Sequence, residues 1–185
     1  GSVWSRLGSK VTVFEFSDKI LGTIDQKISS QMQRILEKQD LVFNLKSEVK
    51  AIKKNTKGVE ISFVKKGKEE NHQFDKVLVA VGRKPNTQGL GLGKVGLKIN
   101  TRGQIETGTN YTTNVKNIYA IGDVIKGPML AHKASDEGVA LAEHIAGHFS
   151  HVNYRAIPNV VYTSPELACV GLSEEDCKKQ GISYK

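Results

Sequence analysis

Apolar and polar positions along the chain change their period several times. Val11-Thr12-Val13-Phe14-Glu15-Phe16 is an almost unbroken apolar β run, as expected of a parallel strand covered on both faces. It follows Ser2 to Lys10, which reads as the last turns of a helix ended by Gly8, so the chain opens inside a β-α-β unit. Ile24, Ile28, Met32 and Ile35-Leu36 then recur at helical spacing, predicting a helix to about Lys38. Thr23 and Gln26 predict a capping box at its start. Leu41 to Phe43 predicts a short strand. Val49 to Ile52 and Val59 to Val64 predict a pair across the Asn55–Gly58 turn, and Phe74 to Val81 a further strand. Val77 to Val81 is continuous and apolar, hence central in a sheet.

Residues 86 to 116 carry Gly89, Gly91, Gly93, Gly96 and Gly103, read as lacking the spacing of a phosphate loop and a following helix, and so as connecting turns. Ile118 to Ile121 is a short buried strand that stops at Gly122-Asp123, presenting a carboxylate just past its C-terminal edge. In open α/β sheets that edge is where ligands bind. Gly127-Pro128 turns the chain, and Met129-Leu130-Ala131-His132 leads into a helix of about 16–18 residues. Ala134, Gly138 and Ala142 give that helix a flat stripe on which a backbone or a large ligand can lie. After Phe149 comes a linker, then strands over Ile157 to Tyr162 and Leu167 to Val170. Ser173-Glu174-Glu175-Asp176 starts a last helix, which Gly181 closes. Strands alternating with helices give an α/β class.

Composition narrows the functional classes. The 185 residues are 38% hydrophobic and 25% charged, ordinary globular values. No apolar run approaches the roughly 18 residues of a membrane span, so no membrane association is expected. The two cysteines, Cys169 and Cys177, lack C-x-x-C spacing and histidine company, so we expect reduced structural thiols and no metal site. The net charge of +8 raises a nucleic-acid-binding module as an alternative. The lysines from Lys46 to Lys76, however, lie around alternating strands with little aromatic interleaving, as a solvated hairpin rim does.

Thr113 to Val124, TNVKNIYAIGDV, resembles the second flavin-binding motif of the FAD-dependent pyridine-nucleotide disulfide reductases. Gly-Pro-Met-Leu-Ala-His-Lys-Ala, residues 127–134, narrows the resemblance to the members that oxidise dihydrolipoamide. It implies that Asp123 holds a ribityl hydroxyl of FAD. Met129, Leu130, Ala131 and His132 would lie along the flavin, with the helix start at its pyrimidine end. Val81-Gly82-Arg83-Lys84-Pro85-Asn86 also resembles the family, implying Gly82 at NAD and Arg83 near the flavin. Val49 matches a residue whose main chain meets the NAD adenine. Glu15, ending a dinucleotide-fold strand, is placed to hold the adenosine ribose diol. Ile157 to Glu166 resembles the start of the family's dimer-interface domain.

The resemblance implies a Rossmann-like NAD-binding domain over 1–84 with its first βα unit incomplete. The second segment of an FAD-binding domain would occupy 85–150, and the start of an α+β dimerisation domain 151–185. It implies NAD-dependent oxidation of protein-bound dihydrolipoamide through a disulfide and FAD. The implied setting is a homodimer beside the lipoyl-bearing acyltransferase of 2-oxoacid dehydrogenase complexes, in a bacterial cytoplasm or mitochondrial matrix. The sequence holds no Cys-x4-Cys, no Gly-rich phosphate loop between a strand and a helix, and no His-Pro-x-x-x-Glu. We therefore expect a fragment, inactive alone and without catalytic residues of its own. Glutathione-type or mercuric reductases are the nearest alternatives. The acidic Glu15-Phe16-Ser17-Asp18 argues for NAD over NADP, whose phosphate wants arginines there.

Overall fold

The computed structural model describes residues 1–185, which separate into two compact units. The first comprises Gly1–Val79 with Pro158–Lys185, the second Ala80–Ile157.

In the first unit, α1 (Ser2–Arg6) leads to β1 (Val11–Phe14), which pairs in parallel with β2 (Leu41–Asn44), Val11 opposite Leu41. The crossover between them is α2 (Gln26–Glu37), as a parallel pair requires. Its cap is Asp25, whose carboxylate accepts the Lys27 N–H at 2.9 Å, and not the predicted Thr23. Thr23 lies in the preceding turn, two residues too early to reach the helix's unpaired N–H groups. Met32 and Leu36 are buried from this helix and, with Ile24 just ahead of its cap, join Ile20, Leu41 and Leu167 in one core. Ile28, predicted on the same face, stays 45% exposed.

A three-stranded antiparallel sheet follows: β3 (Ser47–Asn55), β4 (Gly58–Lys65) and β5 (Lys68–Phe74), in that order. β3 and β4 turn at Asn55–Gly58 as predicted, with a register shift between Val49 and Ala51. The third strand departs from expectation. Lys68–Phe74 is polar and exposed along almost all its length, and it is the ladder to β4, from Lys65↔Lys68 to Val59↔Phe74, that makes it a strand. The apolar run Val77–Val81 forms no strand, and Val81 is 91% exposed. A strand needs a neighbour to take its N–H and C=O groups, and no strand of this chain lies beside it. Phe63 is fully buried, packed on Phe14 at 4.7 Å between ring centroids and on His72 at 5.0 Å. The first unit closes with β6 (Asn159–Val161) antiparallel to β7 (Leu167–Cys169), then α4 (Glu174–Gln180). The start of α4 is the predicted one: Ser173 caps it in a reciprocal box with Asp176, and Gly181 ends it at φ +66°.

The second unit is built from turns and one long helix, α3 (Ala131–Ile145). The expected lack of phosphate-loop spacing is corrected at one place, since Gly91-Leu92-Gly93-Lys94-Val95-Gly96 matches G-x-G-x-x-G letter for letter. It folds as a single 3-10 turn between two left-handed glycines, neither ending a strand nor opening a helix. It lacks the context of a phosphate loop. Asn114 ties this turn down, donating to the Gly96 carbonyl at 2.7 Å and accepting the Lys98 N–H at 2.9 Å. The predicted strand Ile118–Ile121 is reduced to one antiparallel bridge, Thr112 to Tyr119. The cause is again the lack of a neighbouring strand. Its apolar character is nevertheless used, because Ala120 is buried with Ile105 and Ile125. No helix is long and apolar enough to cross a membrane.

Candidate functional site

Gly122-Asp123-Val124 forms one 3-10 turn directly ahead of the Gly127-Pro128 bend and α3. Gly122 takes φ +72°, and a Cβ there would stand 3.2 Å from the Ala134 Cβ. A Cβ at Gly138 would touch Ile121 Cδ1 at 3.6 Å. The small-residue stripe thus receives the Gly122 backbone at Ala134 and the Ile121 side chain at Gly138, and close approach of another backbone is one of the two uses its pattern allowed. Ala142, the third small residue, is exposed.

Asp123 is half-buried in the middle of this turn, and Arg83 Nη2 lies 3.5 Å from its Oδ2. Arg83 and Met129 line one open cleft of about 800 Å³, with Lys84, Arg102, Gln104 and Gly127. Leu130 is the N-cap of α3 and no side chain caps the helix, so its first turn presents backbone N–H groups. Ala131 and His132, on that turn, are exposed, while Met129 and Leu130 are half-buried. The structure therefore brings Arg83, Asp123 and Met129–His132 into one neighbourhood of the second unit. Gly82, at φ +114° with open space where a Cβ would be, belongs to the same unit.

The other predicted residues lie in the first unit. Glu15 follows the last residue of β1, and its Oε1 accepts the Ser17 N–H at 2.8 Å. Its backbone is held on both sides, by Asn44 O and by the Ser47 N–H, each at 3.0 Å. Val49 lies two residues along β3 from Ser47, beside the register shift, and is partly exposed. A strand-end carboxylate is thereby fixed close to an irregular stretch of β3. Cys169 lies in β7 and Cys177 is buried in α4, both as free thiols.

Sequence reasoning missed the residues that hold Gly122. Lys133 and Glu137 are 1% and 0% exposed, and their side chains pair at 3.1 Å. A Lys and a Glu four apart on a helix ordinarily mark a solvated pair. The signal available was their position, since both share a helical face with Leu130 and the buried Ala140.

Residues 1–138 match the family described as pyridine nucleotide-disulphide oxidoreductase, and residues 157–185 match that family's dimerisation domain. The chain belongs to the pyridine nucleotide-disulphide oxidoreductases. Over its whole length it is 48% identical to the mitochondrial dihydrolipoyl dehydrogenase of Bos taurus and 46% identical to that of Dictyostelium discoideum. It spans 37% and 38% of those two proteins. Leghemoglobin reductase of Glycine max is 46% identical. The HOCl-induced flavoprotein disulfide reductase RclA from Escherichia coli superposes with a TM-score of 0.86 at 26% identity, covering 98% of this chain and 41% of that one. The mixed α/β fold is thus that of the flavin disulfide reductases, and the chain corresponds to about two-fifths of such a protein.

Proposed function

We propose that this chain is the central part of an NAD-dependent dihydrolipoyl dehydrogenase, carrying one arm of its flavin site and part of its NAD site. The observation that carries the reading is the turn at Gly122-Asp123, fixed against the uncapped start of α3 with Arg83 at the carboxylate. The identity to dihydrolipoyl dehydrogenases over the whole chain supports it.

The residues present fit FAD. Asp123 offers acceptor oxygens to a ribityl hydroxyl, and Met129 and Leu130 offer half-buried apolar surface to an isoalloxazine. The positive end of α3 favours negative charge gathering on the pyrimidine side of a flavin. Ala131 and His132 hold that end in place through their main chain. When bound, FAD relays two electrons from a dithiol, by way of a disulfide, to NAD⁺ as hydride. For NAD, Glu15 accepts from the adenosine ribose diol, the main chain at Val49 meets the adenine, and Gly82 allows close backbone approach.

In this reading residues 1–84 form the NAD-binding part, 85–150 the second FAD-binding segment, and 151–185 the start of the dimerisation domain. The whole protein is a homodimer serving the lipoyl-bearing acyltransferase of a 2-oxoacid dehydrogenase complex, in the mitochondrial matrix or a bacterial cytoplasm. Residues 1–185 alone carry no turnover.

The test is the full-length protein. It should purify with bound flavin and reduce NAD⁺ with dihydrolipoamide, with NADP⁺, oxidised glutathione and Hg(II) as poor alternatives. Preference for glutathione or Hg(II) would assign it to another branch of the family.

A further inference from the structure

Two full charges sit where solvent does not reach. Lys133 Nζ and Glu137 are 1% and 0% exposed on consecutive turns of α3. Removing such groups from water costs several kcal/mol apiece unless every donor and acceptor is met. Here they are met. Lys133 Nζ donates to Glu137 Oε1 at 3.1 Å, to Glu137 Oε2 at 3.2 Å and to the Gly122 carbonyl at 3.1 Å. Glu137 Oε2 accepts the Gly122 N–H at 2.7 Å, and Oε1 accepts the Tyr154 hydroxyl at 2.8 Å. No buried side-chain nitrogen or oxygen is left without a partner.

These bonds have one target. Glu137 takes the peptide entering Gly122 and Lys133 the peptide leaving it, so both dihedrals of Gly122 are gripped by one ion pair. The leaving peptide is the one that orients the Cα of Asp123. Gly127 makes room for the grip, since a Cβ there would stand 2.9 Å from Lys133 Cε. Burial, the Tyr111 hydroxyl at 3.4 Å and the Glu137 carboxylate hold the Tyr154 phenol above its ordinary range, so it remains a neutral donor closing the outer side.

We propose that Lys133 and Glu137 are positioning residues for the flavin site: a buried clamp on Gly122 that fixes where Asp123 presents its carboxylate. The proposal rests on the flavin reading of Asp123 given above. Packing alone does not require this arrangement, because apolar residues of similar volume fill such a space at no electrostatic cost. What an ion pair adds is directional hold on two peptide groups at once.

The test is a double-mutant cycle in FAD affinity, measured by titrating full-length apoprotein and following flavin fluorescence. Glu137→Gln should weaken FAD binding about tenfold, and Asp123→Ala about 10- to 100-fold. If the clamp acts through Asp123, Glu137→Gln should change the dissociation constant less than about twofold once Asp123 is alanine. An equal loss in both backgrounds, or no loss in either, overturns the clamp. An Asp123→Ala protein that binds FAD like the parent overturns the flavin reading itself, a separate outcome. Should Glu137→Gln unfold the apoprotein by stranding the Lys133 ammonium, Lys133→Met/Glu137→Gln serves in its place. That variant buries no net charge and keeps an amide oxygen for the Gly122 N–H, while it loses the grip on the Gly122 carbonyl and one acceptor, the one that meets the Tyr154 hydroxyl. The same cycle with Asp123→Ala then decides.

Discussion

The Arg83 guanidinium lies 3.5 Å from the Asp123 carboxylate, with the two side chains 73% and 41% exposed. An ion pair this open to water contributes little to stability. Forty residues of sequence separate the partners, yet each comes from a motif that resembles the same cofactor's site. The geometry suits a charge held in readiness for a ligand better than a fastening between two loops.

Asp123→Ala in the full-length protein should therefore leave the apoprotein's melting curve almost unmoved and lower FAD affinity. Loss of a charge-assisted hydrogen bond to a ribityl hydroxyl is worth about 1.5–3 kcal/mol. Melts of apoprotein and holoprotein, beside an FAD titration, separate this from a simple turn-capping role, which would lower both melts and spare the affinity.

Glu15→Ala should raise the Michaelis constant for NAD⁺ by roughly 10- to 100-fold while the flavin stays bound. Its Oε1 already receives the Ser17 N–H, but an ionised carboxylate has about four acceptor positions, enough for a ribose diol as well. A change of less than about twofold in that constant would remove Glu15 from the NAD site.

What the sequence made legible was whatever is decided locally. Ser173, Asp176 and Gly181 bound α4 within one short stretch, and each played the predicted part. Small residues at 134 and 138 announced close approach, and the Gly122 backbone and the Ile121 side chain supplied it. Strands were another matter, because a strand is decided by its neighbour. Val77–Val81 has the stronger β pattern and no partner, whereas Lys68–Phe74 has a weak pattern and a complete ladder to β4. The buried pair was hidden for a similar reason. Lys133 and Glu137 look solvated until the Gly122 backbone is laid across them, and that contact depends on the bend at Gly127-Pro128.

Gly127→Ala should be markedly destabilising. It combines φ +128° with a Cβ position 2.9 Å from Lys133 Cε, and a non-glycine residue in such a conformation costs on the order of 1–3 kcal/mol. Gly93→Ala is the control, with neither a positive φ nor any atom within 4 Å of its Cβ position, and should fall within about 0.5 kcal/mol of the parent. Denaturant midpoints of the two apoproteins make the comparison. Equal midpoints would show that the Lys133 stem yields freely.

The docking of α4 on α2 should depend on pH with a definite sign. The two helix starts cap each other: the Glu174 N–H donates to Asp25 Oδ2 at 3.1 Å, and the Gln26 N–H to Glu175 Oε1 at 3.2 Å. Beside them Glu174 accepts from Lys178 Nζ at 2.8 Å and the Tyr184 hydroxyl at 2.9 Å, with Lys27 Nζ at 3.2 Å. Lys178, then Tyr184, then Lys27 hold its carboxyl down at about 2 from an ordinary 4.5. The Ser173 hydroxyl and N–H hold Asp176 below its ordinary range as well. Lys178 is raised in turn from 10.5 to about 12, chiefly by Glu174. A depressed carboxyl contributes its stabilisation above the unfolded value and loses it as pH falls through the folded one; a raised amine does the reverse. The contribution is therefore complete between 4.5 and 10.5, and fades below as the pH approaches 2 and above as it approaches 12. Amide exchange across Glu174–Gln180, corrected for intrinsic rates, should show less protection in Glu174→Gln than in the parent at neutral pH. The two should converge as the solution is acidified. A difference that persisted unchanged into acid would mean that the carboxylate's charge plays no part in holding this helix.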